Sequence, residues 1–98
     1  MKYLVILSAL LFVQITFAKG DAAKGKAKAV TCFACHGPKG ISSNELWPNL
    51  AGQKEAYLAK QIRAFKTGAR KDPLMNSQVQ MLSETDIDNV AAFFARMK

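Results

Sequence analysis

The chain has 98 residues, half of them hydrophobic, with 14 Lys and Arg against 7 Asp and Glu and a formal charge of +7. That length confines it to one domain. With only two cysteines and one histidine, a four-ligand zinc site built from those residue types is excluded, because no second Cys/His pair exists.

Lys2 supplies a short positive start, and Tyr3 to Phe17 form an apolar run interrupted only by Ser8, Gln14 and Thr16. Thr16-Phe17-Ala18 closes the run with small residues at the two positions a signal peptidase inspects. Fifteen helical residues span roughly 22 Å, short of the ~30 Å hydrocarbon core, and a polar Lys-rich segment follows at once. Residues 1–18 are therefore expected to be a signal peptide cleaved near Ala18 rather than a membrane anchor. The mature domain is then 19–98, with no stable membrane span and the bacterial periplasm as its location. Export also argues against the nucleic-acid partner that a basic chain invites.

Asp21 can cap a first helix that passes through Lys24, Gly25 and Val30 and stops near Gly37-Pro38. It runs into Cys32-Phe33-Ala34-Cys35-His36, and C-x-x-C-H is the attachment signature of a c-type haem. The thiols of Cys32 and Cys35 can add to two vinyl groups as thioethers, and His36 then reaches the iron as proximal ligand. The competing readings are a redox dithiol, which would want a βαβ setting that the rest of the chain lacks, and a structural disulfide. Thioether formation consumes both thiols, which suits an oxidising compartment. Haem also answers a problem of size. Eighty residues bury a marginal core, so without haem the domain is expected barely to fold.

A second helix is expected from about Lys54 to Thr67, with Tyr57, Leu58, Gln61, Ile62 and Phe65 at helical spacing and Gly68 as its stop. The last helix opens on Ser83 with Asp86 in a capping-box arrangement, and Ile87, Val90, Ala91 and Phe94 recur at i, i+3, i+4, i+7. No segment alternates at period two, so no sheet is expected. The fold class is all-α. The stretches Gly37–Gln53 and Gly68–Leu82 are long for connections in a plain bundle, and a haem gives them something to wrap.

With no second histidine, the sixth ligand falls to methionine. Met1 would be removed and Met97 ends the last helix. Met75 sits in Asp72-Pro73-Leu74-Met75, where Pro73 stiffens the approach. Met81 lies two residues before Ser83, where a hydrophobic residue is expected to staple the helix start. Position favours Met75 but leaves Met81 open, and either could simply fill core.

In order and spacing, Cys32-x-x-Cys35-His36-Gly37, Trp47-Pro48-Asn49-Leu50-Ala51-Gly52-Gln53, Tyr57-Leu58 with Gln61, Phe65-Lys66-x-Gly68-x-Arg70, and Leu82-Ser83 ahead of Ala91-Ala92-Phe93-Phe94 resemble the class I cytochromes c. The likeness is to small monohaem periplasmic members and to single domains of dihaem members, and it covers essentially the whole mature chain. It implies a cytochrome c fold of three main helices and loops wrapped around one covalent haem c. It places Met75 at the axial methionine position and gives Pro48 the carbonyl that accepts the proximal histidine's Nδ1–H. It also sets Gly25 and Phe93 at a crossing of the first and last helices, where a missing side chain admits an aromatic ring. Phe93-Phe94 departs from the usual Tyr-Phe pair by one hydroxyl.

The expected function is a soluble electron carrier cycling between Fe(II) and Fe(III) with His36 and Met75 as ligands, not an enzyme. The rivals are a bound electron-transfer subunit of a larger complex and a haem sensor with a labile sixth ligand. Residues 19–98 carry +6, and two ionised propionates bring this near +4. A basic surface of that kind suits acidic redox partners, although lysines on helix faces are ordinarily just solvated. A monomer is expected. Trp47, Tyr57 and Arg70 are candidate propionate contacts, although Trp47 and Tyr57 read more readily as wall packing and Arg70 as a solvated loop charge.

Overall fold

Asp21, in an extended conformation, accepts the Lys24 N–H on its carboxylate at 3.1 Å and opens helix α1, Ala22–Ala29. A 3₁₀ turn at Val30–Cys32 and a four-residue helix α2, Phe33–His36, follow without a gap. The expected first helix thus tightens just where the cysteines begin. It ends at Gly37, whose φ of +86° is a conformation that side-chain-bearing residues avoid. These coordinates are a computed structural model that describes Tyr3 and residues 19–98. Apart from Tyr3, the expected signal peptide and Met1 lie outside the described residues.

Helix α3 spans Glu55–Thr67 and stops at Gly68 in the left-handed conformation. Helix α5 spans Glu84–Ala95 behind a full capping box: Ser83 Oγ accepts the Asp86 N–H and Asp86 Oδ2 accepts the Ser83 N–H, each at 3.0 Å. No strand occurs among the described residues. One element departs from expectation: α4, Met75–Gln78, is a short helix inside what reads as a loop. The Asp72 carboxylate starts it by accepting the N–H groups of Leu74 (2.9 Å) and Met75 (3.0 Å). Four residues are too few to show a helical period.

Helix α5 packs across both α1 and α3. Its Ile87, Val90 and Phe94 are the largest fully buried side chains, joined in the core by Leu58 and Phe65 of α3 and by Val79 and Leu82. At the α1–α5 crossing a Cβ on Gly25 would strike the backbone of Asn89 and Val90. The missing side chain lets the backbone of α5 approach α1 closely. Phe93 packs its ring against Phe33, at 6.0 Å between centroids, and Phe94, at 5.3 Å. The expected staple is corrected. Met81 is 90% exposed, and the residue directly before the Ser83 cap, Leu82, is the buried one. Leu82 shares the core with Ile87, four residues past the cap. Arg63 ties α3 to α5 through Glu84 at 2.6 Å and Asp88 at 3.5 Å.

The cap has an acid-dependent consequence. The backbone N–H of Ser83 holds the Asp86 carboxyl below its ordinary range; the Ser83 hydroxyl, Lys28 and Lys66 act the same way, against some desolvation. A depressed folded pKa contributes stability that is present above the unfolded value near ~3.9 and lost as pH falls through the folded one. Asp86→Asn keeps an oxygen for the Ser83 N–H but cannot titrate. Its melting temperature should fall less than wild type between about pH 5 and pH 3; thermal melts across that range with parallel slopes would show that the cap charge contributes nothing.

Candidate functional site

His36 is the last residue of α2, and its side chain is buried. Beyond Gly37 the chain doubles back, because the Gly40 carbonyl accepts the N–H groups of both Leu50 (2.8 Å) and Ala51 (3.0 Å). Asn49 Oδ1 closes the loop further by accepting the Ser42 N–H at 2.7 Å. This fold-back carries Pro48 to His36, whose Nδ1 donates to the Pro48 carbonyl at 2.8 Å. A carbonyl has no proton to give, so Nδ1 holds the hydrogen and Nε2 keeps its lone pair. That is the tautomer a metal-binding imidazole needs.

Cys32 and Cys35 are half-buried free thiols around the junction of the 3₁₀ turn and α2. Burial pushes the Cys32 thiol above its ordinary pKa, with the neighbouring Cys35 adding to the rise and a hydrogen bond with Thr31 opposing it. A catalytic dithiol relies on the opposite shift.

Met75 is half-buried on the rim of the core, as are Cys32, Phe33 and Leu50. Met81 points into solvent. Met97 also packs on the core, at the far end of α5. A cleft of about 340 Å³ separates Ala27, Lys28 and Thr31, just ahead of the cysteines, from Ser77, Gln78, Met81 and Leu82 behind Met75.

The Met75 segment is held by residues that the sequence reading passed over. Asn76 Oδ1 accepts the Asp72 N–H at 2.7 Å, while its Nδ2 donates to the carbonyls of Phe65 (2.8 Å) and Arg70 (2.9 Å). Gln80 Nε2 donates to Lys66 and Asn76 carbonyls at 3.1 and 2.8 Å. The Met75 and Leu74 N–H groups hold the Asp72 carboxyl below its usual range. The Asp-Pro pair was a local sign of a structured turn; the reach of Asn76 back to α3 had none. Arg70 is not simply solvated: its Nη1 donates to Gln61 at 2.9 Å and its guanidinium lies 4.5 Å from the Phe65 ring centre. Trp47 is half-buried and Tyr57 exposed.

Among the described residues no group of three or more His, Cys, Asp or Glu could cage a bare metal ion. The donors available are the Cys32 and Cys35 thiols, the His36 Nε2 and, packed on the core, the thioethers of Met75 and Met97. They fit an iron whose macrocycle supplies its equatorial ligands and that asks the protein only for axial ones.

The chain is 43% identical over 97 residues to cytochrome c4 of Pseudomonas aeruginosa, covering 96% of this chain and 48% of that protein. It is 43% identical over 79 residues to cytochrome c-554(548) of Halomonas halodenitrificans, covering 78% of this chain and 95% of that one. It therefore spans about half the length of the first relative and nearly all of the second. Among solved structures, the thiosulfate dehydrogenase of Marichromatium purpuratum aligns with a TM-score of 0.73 and 36% identity over 78% of this chain and 19% of that chain. A family-wide match covers residues 22–98, from the first turn of α1 to the final lysine, and on that breadth the chain belongs to the cytochrome c family.

Proposed function

We propose that this chain is an exported carrier of single electrons that holds one haem c through Cys32 and Cys35, with His36 and Met75 as the axial ligands. The observation that supports the reading is the 2.8 Å hydrogen bond from His36 Nδ1 to Pro48, which leaves the Nε2 lone pair available for iron. When bound, the haem supplies one-electron exchange between Fe(II) and Fe(III). The thioethers from Cys32 and Cys35 keep it from being lost between partners. A Met75 thioether would favour the reduced form, and with His36 it would leave the iron no position for a substrate. The protein is thus a carrier and not an enzyme by itself, and a labile sixth position, as in a sensor, would show as high-spin iron.

Removal of residues 1–18 would release a monomeric periplasmic domain. No helix among the described residues is long and apolar enough to cross a membrane. Intact mass under denaturing, reducing conditions should equal residues 19–98 plus one haem. A mass equal to the bare peptide sinks the reading.

The partners are redox proteins with acidic docking surfaces. Lys24, Lys26, Lys39, Lys54, Lys60 and Lys71 are exposed, whereas Lys66 is half-buried and donates to the Leu82 carbonyl. Electron transfer to an acidic redox protein should slow on the order of tenfold from 0.01 M salt to physiological salt, as the Debye length falls from about 30 Å to about 8 Å. Lys39→Glu or Lys54→Glu should flatten that dependence. Lys28 is a poorer probe because it also pairs with Asp86 at 3.9 Å. A rate that is flat or rising with salt leaves the lysines as solvated charge.

A second reading, a bound electron-transfer domain, is favoured by the likeness to part of a thiosulfate dehydrogenase. Stoichiometric co-purification with a larger oxidoreductase would distinguish it.

A further inference from the structure

Glu55 gathers more partners than a surface carboxylate at a helix start needs. Its Oε2 accepts the backbone N–H groups of Lys19 at 2.9 Å and Gly20 at 3.2 Å, across 36 and 35 residues of sequence. Its Oε1 lies 3.7 Å from Arg96 Nη2, and the side chain is only 22% exposed. The next two residues are seated as firmly. A Cβ on Gly20 would strike the Asp88 carbonyl, and the Asp21 N–H donates to Asn89 Oδ1 at 2.8 Å. Residues 19 to 21 are thus fixed in register against α3 and α5, and Lys19 is the residue that the leader reading places first in the mature chain.

We propose that Glu55 is the receptor for the N-terminus made by processing, so that cleavage after Ala18 converts a neutral backbone donor into an ammonium ion paired with the Glu55 carboxylate. The inference rests on the reading of residues 1–18 as a cleaved leader. The chemistry is peptide hydrolysis: the Ala18–Lys19 bond breaks, the water oxygen joins the Ala18 carbonyl carbon, which leaves as a carboxylate, and both water hydrogens end on the Lys19 nitrogen, which becomes an ammonium at neutral pH. That nitrogen already lies at charge-assisted hydrogen-bond distance from Oε2, so no rearrangement is required. In the unprocessed chain the same nitrogen is an amide, and among the described residues the opposite charge paired with Glu55 is Arg96, at the longer distance. Maturation would then add an ion pair that joins the chain start to α3.

Glu55 is also the first residue of α3, where a carboxylate suits the helix dipole without any such role. The test must separate the two. Haem-loaded protein is prepared with two starts, one at Lys19 and one with Gly-Ser ahead of Lys19, each with Glu55 intact or as Glu55→Gln. The helix-dipole contribution is common to both starts; the ammonium is at the receptor in only one. Glu55→Gln should lower the melting temperature by about 4 °C more in the chain that starts at Lys19 than in the extended chain. One molar salt should shrink that excess, the Debye length then being about 3 Å. Equal losses in the two backgrounds overturn the receptor while leaving the leader intact. A naturally exported protein whose N-terminal residue, read by intact mass, is not Lys19 overturns the leader reading and the proposal with it.

Discussion

Met75→Ala should abolish the weak Fe(III)–sulfur absorption at the red end of the spectrum and lower the reduction potential by on the order of 0.1 V or more, because axial-ligand identity moves haem potentials over about 0.8 V. Met81→Ala should leave both unchanged. The contrast follows from where the two thioethers lie. Met81 is 90% exposed, while Met75 is half-buried on the same core rim as Cys32. Met75 is also delivered by a segment with little freedom: the Asp72 carboxylate holds its N–H at 3.0 Å, and Asn76 anchors the same turn to the carbonyls of Phe65 and Arg70. Met81 lies between Val79 and Leu82, both buried in the core, so turning it inward would disturb the packing of these neighbours. Visible spectra and a redox titration of the two variants decide it. Loss of the band in the Met81 variant, with the band kept in the Met75 variant, would reverse the assignment.

Removing both thiols should have the largest effect of all. Cys32→Ala with Cys35→Ala prevents covalent attachment, and the protein recovered should lack both the helix content of the holoprotein and a cooperative melt. The core among the described residues holds eleven buried hydrophobic residues, and four of them are alanines. Burying a methyl group contributes roughly a third to a half of what a Leu or Phe does. Against that stands an ordering cost of about 1 to 2 kcal/mol per residue over the backbone alone. Cys32, Phe33, Leu50, Ile62, Met75 and Phe93 are only partly covered around this core, and they are the surfaces on which a flat apolar ring would complete the burial. Far-UV circular dichroism with temperature reads the outcome. A double variant that melts cooperatively with the helix content of the holoprotein would mean that the polypeptide core suffices alone.

The parts of this protein legible in its sequence are those whose physical cause is local. Asp21 caps α1 through a contact three residues away, Ser83 and Asp86 cap each other over the same span, and Gly37 and Gly68 end helices because of their own backbone freedom. The C-x-x-C-H pentad is local in the same sense: its three chemical groups lie within about one helical turn. Pro48 is an intermediate case. The family resemblance supplied its role, but the bond to His36 exists only because two N–H groups close the loop onto Gly40.

Other features had no local cause to read. Which methionine turns inward depends on whether Leu82 or Met81 is drawn into the core, and that depends on the contacts of Ile87 and Val79. Gly25 looks like any helix glycine until the backbone of Asn89 and Val90, more than sixty residues on, comes against it. Asn76 resembles any polar loop residue until α3 brings the Phe65 carbonyl within reach, and Glu55 resembles an ordinary first-turn acid until the chain start folds across it. Hydrogen bonds and burial between distant segments are decided by how three helices pack, and a periodicity or a cap carries no record of that packing.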